Sequence, residues 1–314
     1  MPEQATAGAP GRESDVCAVV VTYHPDATLL AAQLAALQAQ VGCIVVVDNA
    51  TPGTSVRELC AAIPRTELLS LTGNLGLAAA LNAGITRAHA KPGVADVLLM
   101  DQDSVPEPGM VAALKAALVR QSRHARVAAV GTRFHDPREG VDAPFVRIRF
   151  PVNRKLHCGG VCDDVGCDFL ITSGSLIPLE VLDGVGGMDE GLFIDNVDLE
   201  WCFRAVSKGY ALFGACAARM LHHQGAARHR VPGVPRGIVV HAPRRLFYMM
   251  RNRVLLYRRT YTPRRWIAQD VPRLVVKFLL FALLIAPRRE NVRCMLAGLR
   301  AGIAGRTAAP PDID

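Results

Sequence analysis

The chain has 314 residues, of which 50% are apolar and 20% charged, and its formal net charge is +8. This composition is typical of a globular protein and excludes an intrinsically disordered one. The length suits one large α/β domain, or a catalytic domain with a helical appendage. Because the net charge is positive, we expect an anionic partner, which leaves nucleic acid, a nucleotide substrate and an acidic membrane surface open.

The N-terminus and the cysteines indicate a cytoplasmic protein. Met1–Ser14 is polar, rich in Ala, Gly and Pro, and has no apolar core, so we expect a disordered tail over residues 1–14 and no signal peptide. No uncharged apolar stretch of about 18 residues occurs, so we predict no transmembrane helix. The nine cysteines form no Cys-x-x-Cys pair and are odd in number, which indicates reduced, mostly buried thiols.

Short apolar runs alternate with helical patterns through the first 131 residues. The predicted strands are Val16–Thr22, Ile44–Val47, Glu67–Leu71, Asp96–Met100 and Val127–Gly131. The predicted helices are Leu29–Gln40, Val56–Ala62, Leu75–Ala90 and Met110–Val119. This alternation predicts an α/β fold with a mainly parallel central sheet and helices on both faces. Ligands bind to such sheets beyond the carboxyl ends of the strands.

Polar residues follow four of these strands and are therefore expected at one edge of the sheet. They are Thr22-Tyr23-His24, Asp48-Asn49, Gly73-Asn74 and Asp101-Gln102-Asp103. Asp101 and Asp103 can share one divalent ion and so hold a diphosphate, although a turn with a capping Asp is the alternative. Asp48 can accept a hydrogen bond from a pyrimidine base or a ribose hydroxyl, or it can form an Asx turn.

A helix rich in small residues begins just after Asn74. The N-terminus of a helix favours phosphate, and Gly76 permits close approach of a ligand or of the sheet. A tightly packed core helix explains the alanines of this segment well. It explains Asn74 and Asn82 less well, so both are candidate donor-binding residues.

An acidic segment, Phe193–Trp201, lies where a loop becomes a helix at about Asp198. Asp195 precedes the helix and is our first candidate for a general base that takes a proton from a hydroxyl. Asp198 is the second candidate, although it can also be the N-cap of the helix. Glu200 is expected to pair with Arg204, four residues on.

Two further features of the second half are candidate site residues. His222 follows a short apolar run and can be the third protein ligand of the metal, although a lone histidine is more often structural. In the loop-rich segment Thr132–Leu182, Thr172–Ser175 can form the floor for a sugar, because Ser173 can hydrogen-bond a hexose and Gly174 leaves it space. An ordinary turn is an equal alternative.

The C-terminal third is basic, with predicted helices over Arg245–Tyr261 and Trp266–Ile285. Val271–Ala286 is strongly apolar, yet it carries Arg273 and Lys277 and has arginines on both sides. The pattern fits an interfacial helix attracted to anionic lipids and, equally, a helix packed on the catalytic domain. Because aromatic residues are few and are not interleaved with the basic run, we expect no nucleic-acid binding.

The ordered motifs together resemble glycosyltransferase family 2, and more narrowly its bacterial rhamnosyltransferases. The resemblance runs from about Val16 to Asn252. It is carried by Val21–Pro25, Val47–Asn49, Asn74–Ala78, Asp101–Ser104, Phe193–Cys202, Met220–His222 and His241–Asn252.

This resemblance implies a GT-A fold, Mg²⁺ or Mn²⁺ as cofactor, and inverting transfer of rhamnose from dTDP-L-rhamnose to a hydroxyl of a lipid-linked or polysaccharide acceptor. It divides the chain into a catalytic domain at 15–240, a basic helical extension at 241–306 and a tail at 307–314. The nucleotide-binding half of the catalytic domain spans 15–131, and the acceptor half spans 132–240.

The resemblance also distributes roles among residues. The donor-binding candidates are Thr22, Tyr23, Asp48, Asn74, Gly76, Asn82, Asp101 and Gln102. The metal-binding candidates are Asp103, Asp101 and His222, and the catalytic ones are Asp195 and Asp198. Ser173, Gly174, Trp201 and Arg251 are candidates for contact with the sugar or the acceptor.

Departures from the family pattern leave alternatives open. Position 196 is Asn where many relatives have an acid, and Ala226 follows Gly225 where an acid is frequent. The first departure leaves the choice between Asp195 and Asp198 open, and the second leaves open any acceptor contact from this loop. Another donor, such as a UDP-hexose or UDP-galactofuranose, and an inactive relative that only binds a nucleotide sugar are separate alternatives. We expect a cytoplasmic enzyme that either is free or binds peripherally to the inner face of the membrane.

Overall fold

A mixed sheet, to which most of the strands belong, positions the candidate residues. The computed structural model describes residues 12–136, 140–159, 164–222, 228–231 and 234–308. In these ranges the strands are β1 (Glu13–Thr22), β2 (Val41–Asp48), β3 (Thr66–Ser70), β4 (Asp96–Asp101), β5 (Ser104–Pro106), β6 (Val127–Asp136), β7 (Val141–Asp142), β8 (Phe145–Arg147), β9 (Arg154–Leu156), β10 (Asp164–Cys167), β11 (Ser175–Pro178), β12 (Ala211–His222), β13 (Arg228–Val231) and β14 (Val234–Val239). The helices are α1 (Ala27–Gln38), α2 (Ser55–Ala62), α3 (Leu77–His89), α4 (Met110–Ser122), α5 (Leu179–Val185), α6 (Val197–Ser207), α7 (Pro243–Tyr257), α8 (Arg264–Leu283) and α9 (Arg288–Ile303), with a short 3-10 helix at Glu190–Leu192.

The strand order of the main sheet is β10-β12-β6-β11-β4-β1-β2-β3, with β5 beside β12 and β7 beside β6. Strands β1 to β4 run parallel to one another. Strand β11 is antiparallel to β4 and β6, and β12 is parallel to β6. The predicted α/β fold with a mainly parallel sheet and a C-terminal helical region is confirmed, with antiparallel strands in the second half.

Alternating side chains of the central strands build an apolar core on each face of the sheet. Val19 of β1 packs on the face covered by α3, where Leu81 is fully buried. The next residue, Val20, packs on the opposite face with Leu30 of α1 and Leu114 of α4. Because successive strand residues point to opposite faces, a continuous run of valines supplies both cores.

The parallel register brings the ends of three strands together. Thr22 of β1 lies opposite Asp48 of β2, and Val21 lies opposite Asp101 of β4. The carboxyl ends of β1, β2 and β4 therefore meet at one edge, as the sequence predicted.

Helices α7, α8 and α9 form the C-terminal region, with an apolar core that includes Met250, Phe281 and Met295. Trp266 of α8 packs edge to face on Phe203 of α6, with ring centroids 5.4 Å apart, so the region is joined to the catalytic domain. Among the helices that the structure describes, none has both the length and the apolar composition needed to cross a bilayer.

Helix α9 was not predicted from the sequence, because its arginines hide the apolar face. It approaches α7 very closely at two glycines. A Cβ atom at Gly298 would lie 2.3 Å from the carbonyl oxygen of Phe247, and one at Gly302 would lie 2.8 Å from that of Arg251. Only glycine fits at these points unless the two helices move apart.

Three segment predictions need correction. Residues 1–11 lie outside the described ranges, but Glu13 and Ser14, assigned to the tail, belong to β1, where Glu13 N–H donates to the carbonyl of Gln40 at 2.9 Å. The short apolar run before His222 is the end of the long strand β12. This strand pairs with β6, β10 and β5 along its length. The predicted helix at Arg245–Tyr261 begins earlier and ends at Tyr257.

The prediction that all cysteines are reduced is wrong for one pair. Cys158 and Cys216 form a disulfide with Cα atoms 5.6 Å apart, although 58 residues separate them in sequence. The loop after β9 lies on β12 there, a proximity that cysteine spacing alone cannot reveal. Cys17, Cys43, Cys60, Cys167, Cys202 and Cys294 are free thiols, while Cys162 lies outside the described residues.

Gly84 tests how tightly α3 packs on the sheet. A Cβ atom there would lie 2.3 Å from Cγ1 of Val19 and 2.9 Å from Cγ2 of Val47. Helix propensity alone would make Gly84→Ala stabilising by about 1 kcal/mol, but overpacking costs about 1–3 kcal/mol. We therefore expect a net loss in the free energy of unfolding, measured in urea. Thr86→Ala, at an exposed position of α3, should change it by less than about 0.5 kcal/mol, and a stabilised Gly84→Ala would contradict the packing.

Candidate active site

The carboxyl ends of β1, β2 and β4 form a polar edge around Asp48. The Thr22 hydroxyl donates to Oδ1 of Asp48 at 3.0 Å, and the Thr51 N–H donates to Oδ2 at 3.1 Å. Asp48 is buried and its carboxylate is therefore held in one orientation. The Thr51 N–H lies three residues after Asp48 and not two, so this contact is not the expected Asx turn. Carboxylate lone pairs remain for a nucleoside.

Tyr23 and Gln102 join the ends of β1 and β4. The Tyr23 N–H donates to Oε1 of Gln102 at 2.6 Å, and Nε2 of Gln102 donates back to the Tyr23 carbonyl at 3.1 Å. The amide of Gln102 thus positions the main chain. The Tyr23 ring is 45% exposed, so its face is accessible to a planar ligand such as a base.

The turn before α3 is organised by two asparagine side chains. Oδ1 of Asn74 accepts from Nδ2 of Asn49 at 2.9 Å and from the Gly76 N–H at 3.0 Å, while Oδ1 of Asn49 accepts from the Leu75 N–H at 2.9 Å. Gly76 has a φ of +87°, and a Cβ atom there would lie 2.5 Å from the Phe193 ring. The close approach at Gly76 is therefore made by the acidic segment, on which the start of α3 packs.

Asp101 and Asp103 lie beside His222 at the end of β4. Oδ1 of Asp103 lies 3.5 Å from Nδ1 of His222, and the same oxygen is buried without a hydrogen-bond partner. Burial, followed by the charges of Asp103 and Asp198, raises the pKa of Asp101 to about 7. Such an acidic, partly unsatisfied arrangement suits a divalent cation.

These residues do not form a complete metal cage. Within the described ranges, no group of three or more His, Cys, Asp or Glu side chains is spaced to hold a metal ion. Mg²⁺ is usually held by one or two carboxylates together with substrate phosphates. Asp103 and His222 therefore fit a site that a diphosphate completes.

Two buried serines lie behind the metal-site candidates. The Ser173 Oγ accepts from the Asp101 N–H at 3.1 Å and lies 2.8 Å from Oγ of Ser104, which lies 2.7 Å from Nδ1 of His222. Ser173 is only 1% exposed. In this structure its hydroxyl supports the strand end from inside, and its contact with a sugar stays a prediction. Ser104 was not among the sequence candidates.

Gly174 also serves the sheet and not a ligand. Its φ is +78°, and a Cβ atom there would lie 2.3 Å from Oγ1 of Thr132. Its N–H donates to the carbonyl of Leu99 at 2.8 Å, and its own carbonyl accepts from the Thr132 N–H at 3.1 Å. The expected sugar floor is thus a turn that joins β4, β6 and β11.

Two further sequence candidates have their polar groups engaged inside the protein. Nδ2 of Asn82 donates to the Met188 carbonyl at 2.9 Å and to Glu190 at 2.8 Å. Trp201 is 2% exposed and donates to the Gly186 carbonyl at 2.9 Å. Both side chains thus bond to the protein in this structure, and their contact with a ligand stays a prediction.

Arg251 is likewise a structural residue, fully buried on α7. Its guanidinium donates to the carbonyls of Gly191 at 2.8 Å and Leu192 at 2.9 Å, and to that of Thr307. The next residue, Asn252, donates from Nδ2 to the carbonyls of Leu192, Ile194 and Asp195 at 2.8, 2.6 and 2.9 Å. Together they hold the acidic segment from behind.

The acidic segment needs this support because its backbone is strained. Phe193, Asp195 and Asn196 have φ values of 63°, 65° and 63°, which non-glycine residues rarely adopt. The residue at the N-cap of α6 is Asn196, so the N-cap interpretation of Asp198 is wrong. The predicted pair is confirmed, with Nε of Arg204 2.9 Å from Oε1 of Glu200.

The two candidate bases differ in their surroundings. Nε of Arg245 lies 3.1 Å from Oδ2 of Asp195, and Nη2 lies 2.9 Å from Oδ1. Oδ1 of Asp198 accepts from the Leu199 N–H at 2.8 Å, and burial, together with the charge of Asp195, raises the pKa of Asp198 to about 6. Asp195 is thus a carboxylate paired with a cation at the end of a supported loop.

Arg245 and Asn252 were not selected from the sequence as site residues. Both lie in the segment His241–Asn252, which was recognised as a motif without roles for its members. A mixture of arginines and asparagine within an apolar helix was the available signal, since buried polar side chains need specific partners.

Asn252→Ala should loosen the acidic segment, because the carbonyls of Ile194 and Asp195 lose their donor and that of Leu192 loses one of its donors. We expect a loss of about 1–3 kcal/mol in the free energy of unfolding and faster hydrogen exchange of the amides of residues 191–196. The matched control is Asn291→Ala, which removes another buried asparagine whose Nδ2 donates to the Ile285 carbonyl at 2.9 Å. The control variant should be less stable than the wild type, but its amides at residues 191–196 should exchange no faster. Equal exchange rates in the two variants would show that Asn252 does not hold this segment.

Comparisons with known proteins place this site in a family. The family model of glycosyl transferase family 2 matches residues 17–176. The chain is 30% identical over 293 residues to dTDP-rhamnosyl transferase RfbF of Shigella flexneri, covering 93% of this chain and 95% of that protein.

Solved structures agree in fold. The structure of GalNAc-T7 with UDP, GalNAc and Mn²⁺ matches with a TM-score of 0.58 and 12% identity over 92% of this chain, which spans 56% of that one. The structure of residues 1–349 of S. aureus TarS matches with a TM-score of 0.50 and 13% identity, covering 93% and 92% of the two chains. The strand-edge acids, the supported acidic segment and these matches lead to one conclusion: the chain is a glycosyltransferase with a GT-A type fold and belongs to glycosyl transferase family 2.

Proposed function

We propose that the chain transfers L-rhamnose from dTDP-L-rhamnose to a hydroxyl group of a lipid-linked or polysaccharide acceptor, with inversion at the anomeric carbon. The observation that carries the proposal is the near full-length similarity to a protein named a dTDP-rhamnosyl transferase. Support also comes from the separation of roles in the site. Strand-end residues face the donor side, and Asp195 lies on a separately supported loop.

The donor would bind along the edge of β1, β2 and β4. In this proposal Asp48 accepts from the thymine base or the ribose, Thr22 keeps its carboxylate oriented, and the exposed ring of Tyr23 stacks on the base. The diphosphate lies toward Asp101 and the turn formed by Asn74 and Gly76. Gln102 acts indirectly by fixing the main chain of Tyr23.

Mg²⁺ or Mn²⁺ would be held by Asp103 and His222, with Asp101 close by. The unsatisfied oxygen of Asp103 and the raised pKa of Asp101 support a cation there. The ion would neutralise charge on the leaving diphosphate. The serine pair behind the site keeps the His222 ring and the end of β4 in place.

Asp195 would act as general base. It takes the proton of the acceptor hydroxyl as the oxygen attacks the anomeric carbon from the face opposite the diphosphate. One displacement inverts the configuration, so no covalent enzyme intermediate forms. We assign this role to Asp195 in preference to Asp198, because Oδ1 of Asp198 already accepts from the Leu199 N–H at the start of its own helix.

Ligand-induced stabilisation of the purified protein tests donor and metal together. We expect dTDP-L-rhamnose to raise the melting temperature with Mn²⁺ present, because it binds only the folded state. Asp103→Asn should lose most of the shift, whereas Asp183→Asn, at an exposed position of α5, should keep it. A metal-dependent shift with UDP-glucose, UDP-galactose or UDP-galactofuranose alone would keep the class and overturn the rhamnose assignment. No shift with any of these donors would contradict the proposed donor site.

The outer face of α8 supports a peripheral contact with an anionic membrane. Its apolar side chains at Val271, Val275, Val276, Leu279 and Leu283 are between 41% and 64% exposed. Arginines flank them at positions 264, 265, 273, 288 and 289. An exposed apolar stripe bordered by cations suits the headgroup region of an acidic bilayer, where a lipid-linked acceptor would be found.

Vesicle sedimentation tests this surface. The protein should sediment with vesicles of phosphatidylglycerol and phosphatidylcholine but only weakly with phosphatidylcholine alone. The double variant Val275→Glu and Leu279→Glu should reduce sedimentation at least about tenfold, because two charges enter the apolar face. Val119→Glu, at a 54% exposed site on α4, is the control and should bind as the wild type does. Unchanged binding of the double variant would remove α8 from the proposal.

A further inference from the structure

The proposed base is already engaged by a cation. Arg245 of α7 forms a bidentate ion pair with Asp195, in which Nη2 lies 2.9 Å from Oδ1 and Nε lies 3.1 Å from Oδ2. Both carboxylate oxygens therefore accept from the guanidinium. A carboxylate in this state is a weaker proton acceptor, because protonation would break charge-assisted hydrogen bonds.

Arg245 also faces the acids of the strand edge. Burial lowers the pKa of Arg245, but the hydrogen bonds and charge of Asp195, with Asp101 beyond it, raise it overall. In turn, the charge of Arg245 opposes the rise in the pKa of Asp101. The charge of Arg245 thus acts on both Asp195 and Asp101, and its side chain is 45% exposed.

The donor brings a diphosphate into the same region. The acidic segment packs on the start of α3, where the Ala78 N–H donates to the Phe193 carbonyl at 3.3 Å. Arg245 is therefore paired with a residue of the segment that contacts this turn. The side chain of Arg245 is partly exposed and is paired with one carboxylate. Its planar guanidinium can exchange that carboxylate for phosphate oxygens, because it binds both groups in the same bidentate geometry.

We infer that Asp195 and the donor diphosphate compete for Arg245, so that donor binding draws the guanidinium away and frees Asp195 to act as the base. This inference rests on the proposed function and assigns Arg245 as a residue that binds the donor and controls the base. It gives an order to the reaction: the base becomes competent only when the donor is in place. Proton removal from an acceptor in an empty donor site is thereby disfavoured.

Calorimetric binding of dTDP in the presence of Mn²⁺ tests the competition without any acceptor. Arg245→Gln should weaken dTDP binding on the order of tenfold, because a charge-assisted contact with the diphosphate is lost. Asp195→Asn should tighten it several-fold, because Arg245 no longer has a competing carboxylate. The double variant should bind as weakly as Arg245→Gln alone. Arg245→Lys should recover part of the affinity, and thymidine, which has no phosphate, should bind all variants equally.

A matched ion pair provides the control. Arg120 binds Asp164 through Nε and Nη2 at 3.1 and 2.9 Å, and Arg120→Gln should leave dTDP affinity unchanged. Unaltered urea unfolding curves would show that each variant folds. Binding of dTDP that is the same in wild type, Arg245→Gln and Asp195→Asn would overturn the inference alone. UDP and GDP are tested in the same way. If the wild type binds none of dTDP, UDP and GDP, both the inference and the proposed function are overturned.

Discussion

Four carboxylates, those of Asp101, Asp103, Asp195 and Asp198, have to be held near one edge of the sheet against their mutual repulsion. The parallel register sets the place of Asp101, and buried hydrogen bonds from α7 set that of Asp195. Burial and then the acidic neighbours raise the pKa of Asp101 to about 7, which shows that its charged form is unfavourable in this environment. A site built in this way stores electrostatic free energy that cations and an ordered substrate complex release, which is why it suits a metal and an anionic donor together.

Much of the nucleotide-binding half could be predicted from the sequence, because its signals are local. Val16–Thr22 and Ile44–Val47 are continuous β-branched runs bounded by polar residues, and parallel strands must bring Asp48 and Asp101 to the same edge. Helix α9 could not be predicted from periodicity, since its close packing depends on Gly298 and Gly302 lying against the main chain of a distant helix. The disulfide between Cys158 and Cys216 was missed for the same reason: the contact is between segments far apart in sequence.

The sequence could not decide whether a given polar side chain faces a ligand or a buried carbonyl. Ser173, Trp201 and Arg251 all belong to suitable chemical types, yet the structure directs each of them inward. Sequence pattern does not separate these outcomes, because a strained loop needs the same hydrogen-bonding groups as a sugar does. Arg245 shows the converse, since a surface-type residue on a basic helix proved to be the partner of Asp195.

The hydrogen bonds from Arg251 and Asn252 of α7 to the acidic segment have a consequence for folding during synthesis. The acidic segment is complete by Trp201, but the side chains that hold it come from Arg251 and Asn252, and α7 in turn rests on α9. Arg251 also bonds the carbonyl of Thr307, close to the end of the described chain. A nascent chain can therefore assemble its first strands early, while the loop that carries Asp195 acquires its shape only after α7 and α9 have been synthesised. The strands of the sheet can thus pair before the acidic segment takes its final shape, which requires the C-terminal region.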